Sequence, residues 1–83
     1  FMKEVKNYEP LIALKGGLNG FESYISIIPL ARDVIKKTGL IIFEVGFDQA
    51  QIVKSILNQN KFTVIEIVKD LAGIERILIA KPI

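Results

Sequence analysis

The chain has 83 residues, of which 51% are hydrophobic, with a mean hydropathy of +0.41 and a formal net charge of +2. This length suits one small domain, and so much apolar surface in a small domain predicts contact with a partner. The absence of histidine and cysteine excludes Ser-His-Asp and Cys-His nucleophiles and disulfides within these residues. The carboxylates are scattered, so we expect no metal site.

The composition of the chain and the distribution of its residues also indicate where the protein is located and whether it binds nucleic acid. No apolar run reaches the roughly 18 residues that a membrane span needs, and no signal-peptide pattern opens the chain. Without cysteine, a cytoplasmic location is the expectation. The basic residues are scattered, and the adjacent pair Lys36-Lys37 lies at a predicted helix end, where cations suit the helix dipole. We therefore expect no nucleic-acid interface and no membrane association.

Residues 1–20 are predicted to form an irregular lead-in, that is, a segment without regular secondary structure before the first helix. Pro10 biases Glu9 towards an extended backbone, and Leu11 to Leu14 form only a short apolar run. Three glycines at positions 16, 17 and 20 predict a loop. No phosphate-binding P-loop and no dinucleotide-binding glycine motif occurs anywhere in the sequence.

A helix is predicted from about Phe21 to Lys37, because apolar residues recur at helical spacing. Pro29 lies inside it and cannot donate to the carbonyl of Ile25, which predicts a kink or a restart. The predicted apolar stripe consists of Phe21, Tyr24, Ile25, Ile28, Ala31 and Ile35.

The next unit, from Gly39 to Leu57, combines a strand, a turn and a helix. Leu40–Val45 is apolar without alternation, which is typical of a strand covered on both faces. Gly46 permits the turn, and Asp48 is predicted to cap the following helix, Gln49–Gln59, with Gln51 completing a capping box. Ile52, Val53, Ile56 and Leu57 follow at helical spacing along this helix.

Two further strands follow, Phe62–Val68 and Glu75–Lys81. The connection between them is short, so they are predicted to be antiparallel neighbours. Asp70 and Arg76 are expected to pair across this hairpin. The whole chain therefore predicts an α/β fold in the order loop-α-β-α-β-β.

Four stretches of the sequence resemble, in order and spacing, the C-terminal part of the HemK-type (PrmC) protein-(glutamine-N5) methyltransferases, which modify peptide-chain release factors. The resemblance covers nearly the whole chain. The stretches are Asn7-Tyr8-Glu9-Pro10 with Ala13-Leu14 and Gly16-Gly17; Asn19-Gly20-Phe21 with Tyr24 and Ile27-Ile28; Phe43-Glu44-Val45-Gly46 with Asp48-Gln49; and Lys69-Asp70-Leu71-Ala72-Gly73 with Glu75-Arg76.

This resemblance implies a class I (Rossmann-like) methyltransferase sheet, of which the chain would supply strands five, six and seven, the last antiparallel. It also implies S-adenosylmethionine as the methyl donor of the full-length family and a release factor as its substrate. Two family features are absent: the glycine-rich donor loop and the catalytic Asn-Pro-Pro-Tyr. Glu44-Val45-Gly46 continues as Phe47-Asp48, without the second glycine of a donor loop.

Residues 1–83 are therefore interpreted as a single partial domain that lacks the N-terminal half of its catalytic domain. We expect no catalytic, cofactor-binding or metal-binding residue in this chain, and neither donor binding nor methyl transfer by the chain alone. By resemblance, Tyr8, Glu9 and Pro10 are the candidate substrate-binding residues. Alternatively, these three residues only fix the course of their loop.

An alternative hypothesis is a stand-alone oligomeric binding or assembly module built on the same half-fold. With the fourth strand of the sheet missing, the strand Leu40–Val45 would have an exposed edge. Such an edge, or an uncovered helix face, predicts self-association.

Overall fold

The computed structural model describes residues 11–14 and 20–83. In chain order, the elements are β1 (Leu11–Leu14), α1 (Gly20–Val34), β2 (Leu40–Glu44), α2 (Ala50–Gln59), β3 (Phe62–Lys69) and β4 (Glu75–Pro82). The α/β class is confirmed, and from α1 onwards the order of elements is the predicted one.

The four strands form one sheet in the order β1-β2-β4-β3. β1 runs parallel to β2, whereas β4 runs antiparallel to both β2 and β3. The predicted antiparallel arrangement of the last two strands is therefore confirmed. A shift in register between Val64 and Glu66 marks an irregularity in β3, which changes the face to which the following side chains point.

Strand β1 is the main difference from the expected fold. It lies within the predicted irregular lead-in, and it pairs with β2 from Leu11 opposite Leu40 to Leu14 opposite Phe43. The predicted exposed edge of Leu40–Val45 is therefore wrong, because β2 lies inside the sheet between β1 and β4. Four residues give too short a pattern to distinguish a strand from a loop, and the pairing is set by a partner far along the chain.

Both helices pack on one face of the sheet. Side chains from that face and from the helices form the main core, in which Tyr24, Phe43 and Phe62 are the largest fully buried residues. Alternate residues of a strand point to opposite faces. Leu40 and Ile79 accordingly form a smaller buried cluster with Ile42 and Ile77 on the other face.

Helix α1 buries a narrower stripe than predicted. Tyr24, Ile28 and Ala31 face the core, at spacings of four and three residues. Phe21 and Ile25 belong to the predicted stripe but are exposed, because they lie on the side of the helix that turns away from this core. The helix continues through Pro29 and ends at Val34, three residues before the predicted end. In the described part of the chain, no helix is long and apolar enough to cross a membrane.

Candidate functional site at the carboxyl edge of the sheet

The carboxyl ends of the two parallel strands meet at one edge of the sheet. Leu14, the last residue of β1, lies opposite Phe43 near the end of β2. Because β4 is antiparallel to β2, its first residues lie at the same edge, with Ile77 opposite Glu44. In open α/β sheets, ligands bind outside the carboxyl ends of the parallel strands. We call this region the carboxyl edge; it comprises the β2–α2 turn (residues 45–49) and the β3–β4 hairpin loop (residues 70–74).

The β2–α2 turn is closed by backbone hydrogen bonds. The N–H of Val45 donates to the carbonyl of Arg76 at 2.8 Å, and the N–H of Gln49 donates to the carbonyl of Gly46 at 3.2 Å. Between them, Asp48 takes a left-handed backbone conformation with φ of 60°. For a residue other than glycine this conformation is uncommon, and the surrounding structure must stabilise it.

The predicted helix cap is wrong. The N-terminal cap of α2 is Gln49, one residue later than predicted, and its side chain makes no capping hydrogen bond. The turn places Asp48 in the left-handed region, whereas a capping residue normally has an extended backbone. Gln51 makes no capping box; its amide nitrogen lies 3.3 Å from Oε1 of Glu75 and donates to it.

The side-chain amide of Gln49 stabilises the β2–α2 turn through hydrogen bonds on its buried side. Its Oε1 accepts a hydrogen bond from the N–H of Gly46 at 2.7 Å and another from the hydroxyl of Tyr24 at 3.1 Å. A Cβ at position 46 would lie only 3.0 Å from this oxygen, so any larger residue there would displace the amide of Gln49. The residue as a whole is half-buried.

Tyr24 joins this turn to helix α1. Its side chain is fully buried, and its ring meets that of Phe43 edge to face, with 5.7 Å between the centroids. Such aromatic pairs stabilise by about 0.5–1.5 kcal/mol beyond the burial of their area. The Tyr24 and Gln49 contact joins residues 25 apart in the chain, and no local sequence pattern indicates it.

The hairpin loop is organised by one carboxylate. Oδ1 of Asp70 accepts hydrogen bonds from the N–H groups of Ala72 and Ile74, and Oδ2 accepts from Nε of Arg76 at 3.1 Å. The predicted pairing of Asp70 with Arg76 is confirmed. The hydrogen bond from Ile74, followed by that from Arg76, lowers the pKa of Asp70 below its ordinary 3.8.

The candidate substrate residues Tyr8, Glu9 and Pro10 lie outside the described residues. At the carboxyl edge itself, Glu44 is exposed at the end of β2, and Phe47 projects from the turn with 66% of its surface exposed. Sequence reasoning did not select Phe47, because an isolated aromatic residue beside a glycine gives no specific signal. Among residues 11–14 and 20–83, no cluster of three or more His, Cys, Asp or Glu could hold a metal ion.

Comparison with curated proteins confirms the resemblance seen in the sequence. The chain is 49% identical over 76 residues to the release factor glutamine methyltransferase of Thermodesulfovibrio yellowstonii, a match that covers 92% of this chain and 27% of that protein. It is 46% identical over 80 residues to the enzyme of the same name from Fusobacterium nucleatum, covering 96% of this chain and 23% of the relative.

A third relative, named bifunctional methyltransferase, comes from Rickettsia conorii and is 36% identical over 80 residues, which are 96% of this chain and 15% of that protein. The chain thus spans about a quarter, or less, of the length of these curated relatives. No protein-family profile matches the chain, and no solved structure matches it.

Proposed function

We propose that the chain is the C-terminal part of a release factor glutamine methyltransferase. The observation that carries this proposal is the 49% identity over 92% of the chain to a protein of that name. The whole protein would transfer a methyl group to the side-chain amide nitrogen of a glutamine in a peptide-chain release factor, in the cytoplasm. S-adenosylmethionine would supply the methyl group, bound by residues outside this chain.

The part of this chain in the reaction is positioning. An amide nitrogen is a poor nucleophile, so the reaction depends on holding the glutamine in line with the methyl group and on excluding water. The carboxyl edge is where the sheet would present side chains to such a substrate. We propose that Tyr8, Glu9 and Pro10 lie beside the substrate peptide. The β2–α2 turn would form a rigid surface that contacts the same peptide.

The remainder of the domain is the proposed partner of this chain. Helix α1 exposes Ile25, Leu30 and Val34 by 57%, 65% and 71%. Ile25 lies on one flank of the buried stripe of this helix and Leu30 and Val34 on the other, and exposed apolar side chains of this size mark a surface that a partner covers. In the isolated chain, this surface and the short edge strand β1 favour self-association at high concentration.

A fusion protein tests the proposed function. The 76-residue matching segment of the Thermodesulfovibrio yellowstonii relative is replaced by this chain, and circular dichroism first establishes that the fusion folds. The fusion is then incubated with a bacterial release factor and S-adenosylmethionine. Methylation of a glutamine side chain supports the proposal, and a folded fusion without activity refutes it. The relative truncated before the segment is the control, and we expect it to be inactive.

The alternative is a stand-alone oligomeric binding module, and the exposed apolar residues of α1 are the observation that favours it. It predicts that this chain alone forms a stable oligomer of defined size and that the folded fusion lacks activity. Sedimentation of the isolated chain, together with the fusion assay, separates the two functions.

A further inference from the structure

The orientation of the Gln49 amide is fixed by its neighbours. The N–H of Gly46 can only donate, so the atom it meets at 2.7 Å must be the amide oxygen. The hydroxyl of Tyr24 donates to the same oxygen at 3.1 Å. Both contacts hold the oxygen towards the protein, and the NH₂ group is therefore the half of the amide that remains available.

The NH₂ group of Gln49 has no hydrogen-bond partner in the described part of the chain. In that same part, Nε of Arg32 is the only side-chain nitrogen or oxygen that is buried without a partner. The Gln49 NH₂ group is therefore open to solvent, although the residue as a whole is half-buried. It is a rigidly held donor at the edge where α/β sheets bind their ligands.

The residues around the Gln49 NH₂ group indicate which kind of hydrogen-bond acceptor on a ligand would fit there. The exposed carboxylate of Asp48 comes from the same turn as the donor, and it disfavours an anionic ligand such as a phosphate. The exposed ring of Phe47 offers an apolar contact beside the donor. A neutral carbonyl oxygen on a polypeptide fits both features, because it accepts a hydrogen bond without adding negative charge.

We infer that the NH₂ group of Gln49 donates a hydrogen bond to a carbonyl oxygen of the substrate polypeptide. This inference rests on the proposed function and names a substrate-binding residue within it. The oxygen of the same amide fixes the turn, so that the donor is in place before the substrate arrives and little conformational entropy is lost on binding.

The variant Gln49→Glu keeps the acceptor role of the Gln49 amide and removes its donor role. A carboxylate at this position still accepts from Gly46 and Tyr24, so the turn and the melting temperature are retained. The donor is lost, and a negative charge faces the substrate carbonyl instead. In the fusion protein described above, we expect the KM for the release factor to rise at least about tenfold, with kcat and the KM for S-adenosylmethionine within about twofold, because the lost hydrogen bond acts on substrate binding.

The matched control is Tyr24→Phe, which removes one hydrogen bond to the oxygen and leaves the NH₂ donor in place. We expect this variant to melt at a lower temperature and to keep the KM for the release factor. If Gln49→Glu fails to fold, Gln49→Met is measured instead; it lacks donor and acceptor and must show the same rise in KM.

The outcomes distinguish this inference from the function on which it rests. An active fusion in which Gln49→Glu leaves the KM for the release factor unchanged overturns the inference alone. A folded, unmodified fusion without activity overturns the proposed function, and the inference falls with it. A rise in KM that appears equally in Tyr24→Phe assigns Gln49 a merely structural role and also overturns the inference.

Discussion

The two loops of the carboxyl edge are stabilised in opposite ways. In the β3–β4 hairpin, Asp70 accepts hydrogen bonds from Ala72, Ile74 and Arg76, all within six residues of it. In the β2–α2 turn, the central contact reaches 25 residues back along the chain, from Gln49 to Tyr24. The hairpin contains its own hydrogen-bond partners, whereas the turn depends on the packing of another helix.

The conformation of the hairpin can therefore be predicted from local sequence, whereas that of the β2–α2 turn depends on residues far away in the chain. A local network forms wherever its few residues occur together. A tertiary network forms only when α1, β2 and α2 are all folded and packed together. A destabilising substitution in the core should therefore open the β2–α2 turn more than the hairpin.

Tyr24→Ala should have the largest effect. It removes a fully buried aromatic ring, its edge contact with Phe43 and a hydrogen bond to Gln49. Truncations of buried aromatic residues cost about 3–5 kcal/mol, which is a large fraction of the stability of a domain of this size. Urea unfolding of the isolated chain measures the loss. A cost below about 1 kcal/mol would show that α1 does not support the turn.

Gly46→Ala should destabilise the turn by a moderate amount. The added Cβ would lie 3.0 Å from Oε1 and 3.2 Å from Cδ of Gln49, so the amide must move and its hydrogen bond to the backbone weakens. Forcing a methyl group into a packed site costs about 1–3 kcal/mol. Thermal unfolding reports the change, and the Gly46→Ala, Gln49→Ala double variant is the control, because removal of the amide should restore room for the Cβ.

Tyr24→Phe should cost about 1 kcal/mol, the net contribution of one hydrogen bond. The ring still packs on Phe43, and the bond to Gln49 is lost. Amide hydrogen exchange locates the effect: the N–H of Gly46 should exchange faster, while the N–H groups of Ala72 and Ile74 keep their rates. Equal acceleration in both loops would contradict the separation of the two networks.

Asp70→Asn should have the smallest effect on global stability, since the carboxylate is exposed. The change weakens the hydrogen bonds to Ala72 and Ile74 and abolishes the ion pair with Arg76. Faster exchange of those two N–H groups, with Gly46 unaffected, is the expected result. If exchange at Gly46 accelerates as well, the two loops form one cooperative unit.

The same carboxylate predicts a pH dependence. The pKa of Asp70 is lower in the folded chain than its ordinary 3.8, so the folded state binds this proton more weakly than the unfolded state. Its contribution to stability is complete above the unfolded pKa and is lost as the pH falls through the lower, folded value. Thermal unfolding of the wild type and of Asp70→Asn, followed from about pH 6 to about pH 2, should show a steeper acidic loss in the wild type. Parallel curves would contradict the assignment.

Local sequence predicted most of the fold and little of the candidate site. Strands β2, β3 and β4 follow from runs of apolar residues, and both helices follow from apolar residues at helical spacing. The pairing of Asp70 with Arg76 follows from the short hairpin. Strand β1 was missed because its four residues give too short a pattern and its pairing partner, β2, lies far along the chain. The cap at Asp48 was wrong because the conformation of the turn is set by Gln49 and Tyr24, whose contact depends on how α1 packs.

Mass spectrometry of the release factor after incubation with the fusion protein tests the central claim most directly. We expect one added methyl group on a glutamine side chain, present with the fusion and absent with the truncated relative. A folded fusion that leaves every glutamine of the release factor unmodified would contradict the claim that this chain is the C-terminal part of such a methyltransferase.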